Sequence, residues 1–170
     1  MEEIGIVNRV TNSGLITLDL ADYYIEGQRE LYDIARNLFM DAILKEKDFR
    51  EFLKTHDWSQ YEGKHVAVTC SVDAIIPSWA YMLLATKLQP VAKTLIFGDL
   101  DDLEIALFRT ALSKLNPTSY KDAKVVIKGC GDISIPHAAY FELTRLLTPY
   151  VASIMYGEPC STVPVYKRGK

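Results

Sequence analysis

Apolar residues along this chain switch between short unbroken runs and a four-residue spacing, and the two patterns take turns. His65–Thr69 (HVAVT) and Lys124–Lys128 (KVVIK) are compact apolar runs suited to buried strands. Each leads into a turn-rich stretch carrying Cys and Asp (CSVD, GCGD), then into Pro77 or Pro136, a residue that can open a helix. Ile76, Ala80, Leu84 and Leu88 then lay one apolar stripe along a helix, as do Ile135, Ala139, Leu143 and Leu147. Pro90 and Pro149 stop the helices, and TLIFGD and SIMYGE follow as second strands. Between the two series, Leu103, Leu107, Ala111 and Leu115 predict a further helix over Leu100–Leu115.

The two series are related by a shift of 59 residues, which lays 61–99 over 120–158 without a gap. Eleven of the 39 positions are then identical: residues 61, 66, 73, 76, 77, 80, 81, 84, 88, 90 and 98 each meet the same residue type 59 places on. Average composition gives roughly two or three. Each copy reads as strand–helix–strand, about the minimum for a parallel crossover. The fold class expected is therefore α/β: a four-stranded, mostly parallel sheet built from two repeated β-α-β units, with helices on its faces.

Residues 1–60 fall outside the repeat and are expected to form an N-terminal cap on the sheet. Leu15–Leu20 (LITLDL), after the Ser13-Gly14 turn signal, reads as an edge or hairpin strand. Arg29–Leu44 and Glu46–Thr55 read as helices; in the second, Phe49, Phe52 and Leu53 share a face among mixed charges. No Gly-, Pro- or Ser-rich linker separates the cap from the core. The expected organisation is one domain over 1–170, with a cap over 1–60, a repeat core over 61–160 and a C-terminal arm over 161–170. That arm, Ser161–Lys170, lacks helical periodicity and is suited to reaching across a partner subunit; a symmetric homodimer is the commonest assembly.

Composition narrows the function classes. A chain of 170 residues with 49% apolar and 24% charged positions folds on its own core without a disulfide or a metal. Its net charge of −3 and the absence of an internal basic run argue against nucleic acid as a partner. No apolar stretch is long enough for a membrane span and the N-terminus does not read as a signal peptide, so a cytoplasmic protein is expected.

Ligands of open parallel sheets bind outside the carboxyl ends of the strands. Cys70, Cys130 and Cys160 each follow an expected strand, which predicts all three cysteines at one edge of one sheet. Thiolates are soft ligands for zinc, copper(I) or iron–sulfur clusters. His137, just after Pro136, or Asp132 or Asp73 is the candidate for a fourth position, and Asp73 and Asp132 stand at matching places in the two loops as candidate cofactor-binding residues. Two alternatives stand beside the metal site. The cysteines are small buried hydrophobes, or one is a reactive thiol near a helix N-terminus, including a Cys130–Cys160 exchange pair. The loop CSVDAIIP has no arginine for a thiol phosphatase, and GCGD lacks the third glycine of a dinucleotide fingerprint. His56 and Asp57 read as a helix-end cap, His65 as structural or exposed, and Trp58, Trp79, Tyr81 and Tyr140 as packing anchors.

The strings ILKEKDFREFLKTHDWSQY, VTCSVDAIIPSWAYMLLAT, VIKGCGD and GEPCSTVPVYK resemble a bacterial family known as domain of unknown function, family 2480, from IVNRV to VPVYK. The resemblance implies a setting beside iron–sulfur cluster assembly components. It thus implies iron–sulfur assembly proteins as partners and favours zinc or an iron–sulfur cluster at Cys70, Cys130 and Cys160. The function expected is accessory, in cluster assembly or metal handling, with a metal-free small-molecule-binding or assembly module, or a thiol-dependent enzyme, as the alternatives.

Overall fold

The computed structural model describes residues 14–129, 131–158 and 160–169. They form a mixed α/β structure in two compact units. Unit 1 takes its described residues from Met1–Ile25 and Leu107–Lys170, and unit 2 is Glu26–Ala106. In chain order the elements are β1 (Leu15–Asp19), β2 (Arg29–Asp33), α1 (Glu46–Thr55), β3 (His65–Thr69), α2 (Ser78–Leu88), β4 (Thr94–Phe97), α3 (Leu100–Leu112), β5 (Lys124–Lys128), α4 (His137–Leu147), β6 (Ser153–Glu158) and β7 (Ser161–Lys167), with single 3-10 turns between some of them.

Strand pairing is parallel throughout, apart from the last hairpin. Unit 2 carries a three-stranded sheet in the order β2-β3-β4, and unit 1 a four-stranded sheet in the order β1-β5-β6-β7. The expected single sheet is thus corrected to two. The cause lies in the N-terminal region, which supplies strands to both sheets. β1 pairs with β5 from Leu15↔Lys124 to Asp19↔Lys128, and β2 pairs with β3 from Arg29↔His65 to Asp33↔Thr69. Each strand–helix–strand segment thereby gains its own third parallel strand and closes its own core.

The helix expected over Arg29–Leu44 is also corrected. Arg29–Asp33 is strand, followed by a 3-10 turn over Ile34–Asn37. Asp33 ends the strand by accepting the N–H of Ala35 at 3.0 Å, an Asx-type bond that competes with helix propagation. Positive φ at Met40 and Asp41 then excludes a continuous helix. Asp19 does the same at the end of β1, accepting from Ala21 at 3.0 Å. The helix expected to reach Leu115 stops at Leu112, because Asn116 and Pro117 open another 3-10 turn.

Two apolar clusters follow the two sheets. In unit 1, Leu18, Val125, Ile127 and Ile154 of the strands meet Ala139, Leu143 and Leu147 of α4. In unit 2, Tyr32, Val66 and Val68 meet Phe49 and Leu53 of α1 and Ala80, Leu84 and Leu88 of α2. The stripe read from the sequence is the buried face of both helices. Trp58 stacks on Tyr32 at 6.0 Å and Trp79 tilts against Phe49 at 6.3 Å, so both tryptophans are packing residues of unit 2. His56 lies 4.6 Å from the rings of Phe52 and of Trp58. Burial, and then the charge of Arg36, hold its pKa below the ordinary histidine value. Asp57 caps the next turn through the N–H of Ser59.

Candidate functional site

The carboxyl ends of the strands gather polar residues in both units, as parallel sheets do. In unit 2, the Asp33 carboxylate accepts the N–H of Ser71 at 3.1 Å as well as that of Ala35. Burial alone would raise its pKa, but these bonds from Ser71 and Ala35 outweigh burial and lower it. Cys70 is half-buried against the unit 2 core, with its thiol 3.4 Å from the Val72 carbonyl. The Tyr81 hydroxyl lies in the same neighbourhood; burial first, then Cys70 and Asp33, raise its pKa. In unit 1, Lys128 at the end of β5 reaches Asp19 of β1 at 3.1 Å and Glu158 of β6 at 3.8 Å.

Two of the residues expected to share one edge of one sheet belong to different sheets. Cys70 follows β3 in unit 2, whereas Cys160 is exposed in the turn from β6 to β7 in unit 1. Cys130 lies outside the described residues. Asp73 and Asp132 are exposed in the loops after β3 and β5. Among the described residues, no three His, Cys, Asp or Glu side chains stand together to hold a metal ion. His65 is buried, with Nδ1 3.0 Å from the Thr94 hydroxyl and Nε2 3.1 Å from the Glu26 carbonyl, so its role is structural.

A concave site does form in unit 1, between α4 and the β6–β7 hairpin. The cleft has a volume of about 550 Å³. His137, Tyr140, Phe141 and Thr144 line it from one side of α4, spaced as i, i+3, i+4 and i+7. Tyr156 and Val165 face them from the hairpin, and Ile127 and Ile154 also line it. Tyr140 is fixed: its hydroxyl donates to the Gly129 carbonyl at 3.1 Å and its ring meets Tyr156 edge-on at 5.7 Å. Phe141, by contrast, leaves 73% of its surface in solvent.

The hairpin wall depends on local chemistry. Gly157 has φ +116°, and a Cβ there would stand 2.7 Å from the Ser161 carbonyl oxygen, so the tight approach of β7 to β6 needs glycine. Pro164 opposes Met155 beside a register shift, a position where a missing N–H is tolerated on an outer strand. The C-terminal segment expected as an arm is thus, over Ser161–Lys167, the antiparallel edge strand of unit 1.

Of the residues singled out from sequence, His137 and Tyr140 reach this cleft. Phe141, Tyr156 and Val165 were not singled out, although Phe141 carries a readable signal, since a large aromatic off the apolar stripe of an amphipathic helix has no core to enter. A second cleft of about 490 Å³ in unit 1 is lined by Tyr23, Tyr24, Tyr120, Lys114 and Asn116, among others. There, burial and the neighbouring Tyr120 raise the pKa of Tyr23.

No helix among the described residues is long and apolar enough to cross a membrane. A family model described as protein of unknown function (DUF2480) matches residues 4–168. No curated protein and no solved structure matches the chain.

Proposed function

The chain belongs to the DUF2480 family, and from the geometry of its own cleft we propose that it is a binding module for a small apolar or aromatic molecule with a polar head. The carrying observation is the unit 1 cleft itself. Its volume of about 550 Å³ falls in the range of small-molecule sites, and its lining is mostly aliphatic and aromatic with a few polar groups. The four α4 residues span about 10 Å along the helix, the length of a bicyclic ring or a short acyl chain. The His137 imidazole at one end supplies a hydrogen bond to the polar head, and covering the Phe141 ring supplies an apolar driving force.

Anilinonaphthalene sulfonate, an aromatic anion, is a suitable probe. Its fluorescence is expected to rise and shift to the blue with the intact protein. Phe141→Ser is expected to weaken binding by about tenfold to a hundredfold, since burying one aromatic ring contributes about 1.5–3 kcal/mol. Thr144→Trp, which fills the cleft from α4, is expected to abolish it. A probe that ignores the protein, or that binds both variants unchanged, sinks the reading.

A second reading keeps the soft-metal site, as zinc or an iron–sulfur cluster, but moves it onto Cys130 and Cys160 without Cys70. What favours it is the β5–β6 register, in which Ile127 lies beside Tyr156. Three residues after Ile127 the sequence reaches Cys130, and four after Tyr156 it reaches Cys160. Iron–sulfur assembly proteins would be the partners under this reading. Protein purified without oxygen is expected to carry metal that Cys130→Ser with Cys160→Ser removes and Cys70→Ser leaves in place. Metal-free protein, or loss of metal on Cys70→Ser alone, counts against it.

A further inference from the structure

Strand β4 has β3 on one side and, among the described residues, no strand on the other. The N–H of Gly98 donates to the Val68 carbonyl at 2.9 Å across that ladder. Backbone groups of a strand alternate in direction, so Ile96 turns its N–H and C=O toward β3, while Leu95 and Phe97 turn theirs to the open edge. An open edge of this kind invites another strand, and β4 carries neither a proline nor a charge within Thr94–Phe97 to discourage one.

At the end of this edge Phe97 is apolar and exposed, leaving 71% of its surface in solvent. Phe97 meets Tyr81 edge-on at 5.0 Å, as Tyr156 meets Tyr140 in unit 1. By the 59-residue shift, Phe97 and Tyr156 are corresponding residues, and so are β4 and β6. In unit 1 that outer edge is occupied: β7 pairs antiparallel with β6, placing Val163 opposite Tyr156. Unit 2 has no described strand in that place.

We propose that the outer edge of β4 pairs antiparallel with β4 of a second copy of this chain, about a two-fold axis at Ile96, joining two three-stranded sheets into one of six strands. Antiparallel pairing of a strand with itself is what a two-fold axis produces. The outward groups of Leu95 and Phe97 must meet outward groups of the other copy, which restricts the register. With Leu95 opposite the partner's Phe97, Lys93 falls opposite the partner's Asp99, and the symmetry repeats that pair. Lys93 and Asp99 are both exposed and stand just before and just after the strand, Asp99 using one carboxylate oxygen to accept the N–H of Asp102 at the start of α3. Sliding the register so that Leu95 opposes the partner's Leu95 leaves both charges unmatched. Sliding it the other way, so that Phe97 opposes the partner's Phe97, sets Leu95 against Asp99 and carries Lys93 past the end of the partner strand into α3. Charge complementarity thus favours the register about Ile96 and a copy carrying Lys before the strand and Asp after it.

Size-exclusion chromatography with light scattering on the full chain tests this. Over tens of micromolar the mass is expected to approach that of two chains. Lys93→Glu, which sets two like-charged pairs across the axis, is expected to raise the dimer Kd about tenfold. Adding Asp99→Asn to that variant removes the like-charge pairs and keeps an oxygen for the Asp102 N–H, and it is expected to bring part of the dimer back. Phe97→Lys is expected to leave a monomer with an unchanged circular dichroism spectrum, because the replaced side chain is exposed. A monomer at every concentration overturns the proposal, as does a dimer indifferent to both Lys93→Glu and Phe97→Lys, or a Lys93→Glu, Asp99→Asn double variant no tighter than Lys93→Glu alone.

Discussion

Leu84→Ala is expected to remove about 2–5 kcal/mol from the stability of unit 2, and Leu143→Ala to remove a similar amount from unit 1. Both leucines are fully buried, and each belongs to a different apolar cluster. Truncation leaves a void that close-packed neighbours fill only in part, which adds a cavity cost to the lost transfer energy. In unit 2 the strand and helix residues around Leu84 include Tyr32, Phe49 and Tyr61, rings that collapse poorly onto a missing branch. The two transitions can be read separately, because the only two tryptophans, Trp58 and Trp79, both lie within Glu26–Ala106. Urea unfolding followed by tryptophan fluorescence therefore reports unit 2, and far-ultraviolet circular dichroism reports both units. Leu84→Ala must lower the fluorescence-detected midpoint, and Leu143→Ala the midpoint of the circular dichroism transition. A change under about 1 kcal/mol for either variant, the scale of an ordinary surface substitution, would contradict the assigned cores.

The strands and helices that were legible in the sequence share one property: their signal is local. HVAVT, KVVIK and SIMYGE coincide with β3, β5 and β6, and Glu46–Thr55 coincides with α1. An unbroken apolar run or a four-residue stripe is set by neighbours within a few positions, so the chain displays it directly. The strand Arg29–Asp33 gives no such signal. Only Tyr32 of its five residues is fully buried, and its partner β3 lies more than thirty positions away. β1 finds its partner β5 more than a hundred positions on. Parallel pairing over such separations is decided by tertiary packing, and the α/β class was legible while the division into two sheets was not.

The same distinction governs the candidate site. Attention to soft ligands selected Cys70, Cys130 and Cys160 on the premise of one shared sheet edge, and that premise fails for Cys70 and Cys160 once there are two sheets. His137, chosen for its place after Pro136, lines the cleft beside Tyr140 and Phe141. The wall facing α4 comes from β6 and from Val165 of β7, a strand whose residues carry no helical stripe and whose role appears only when it folds back on β6. Exposed aromatics off the helical stripe are the part of the cleft that a sequence can announce.

Gly27→Ala is expected to destabilise unit 2 by about 2–4 kcal/mol, a large effect for one methyl group. Gly27 has φ +139°, a region that residues with a Cβ rarely adopt, and that strain alone disfavours any substitution. Space makes the change harder still: the added Cβ would stand 2.7 Å from His65 Nε2 and 2.8 Å from His65 Cδ2. The ring has no freedom to withdraw. A backbone carbonyl only accepts, so Nε2 is protonated and donates to Glu26 at 3.1 Å, and Nδ1 accepts from the Thr94 hydroxyl at 3.0 Å. Moving the imidazole breaks both bonds inside a buried site, where an orphaned polar group costs about 1–3 kcal/mol. His65→Ala in the same chain separates the two contributions, because it removes the clash and leaves the φ strain. The double variant is therefore expected to be more stable than the sum of the single losses, with a coupling of about 1–2 kcal/mol in a tryptophan-detected unfolding cycle. Losses that simply add would mean that Gly27 and His65 do not touch, and a Gly27→Ala variant as stable as the parent would remove the close packing between them.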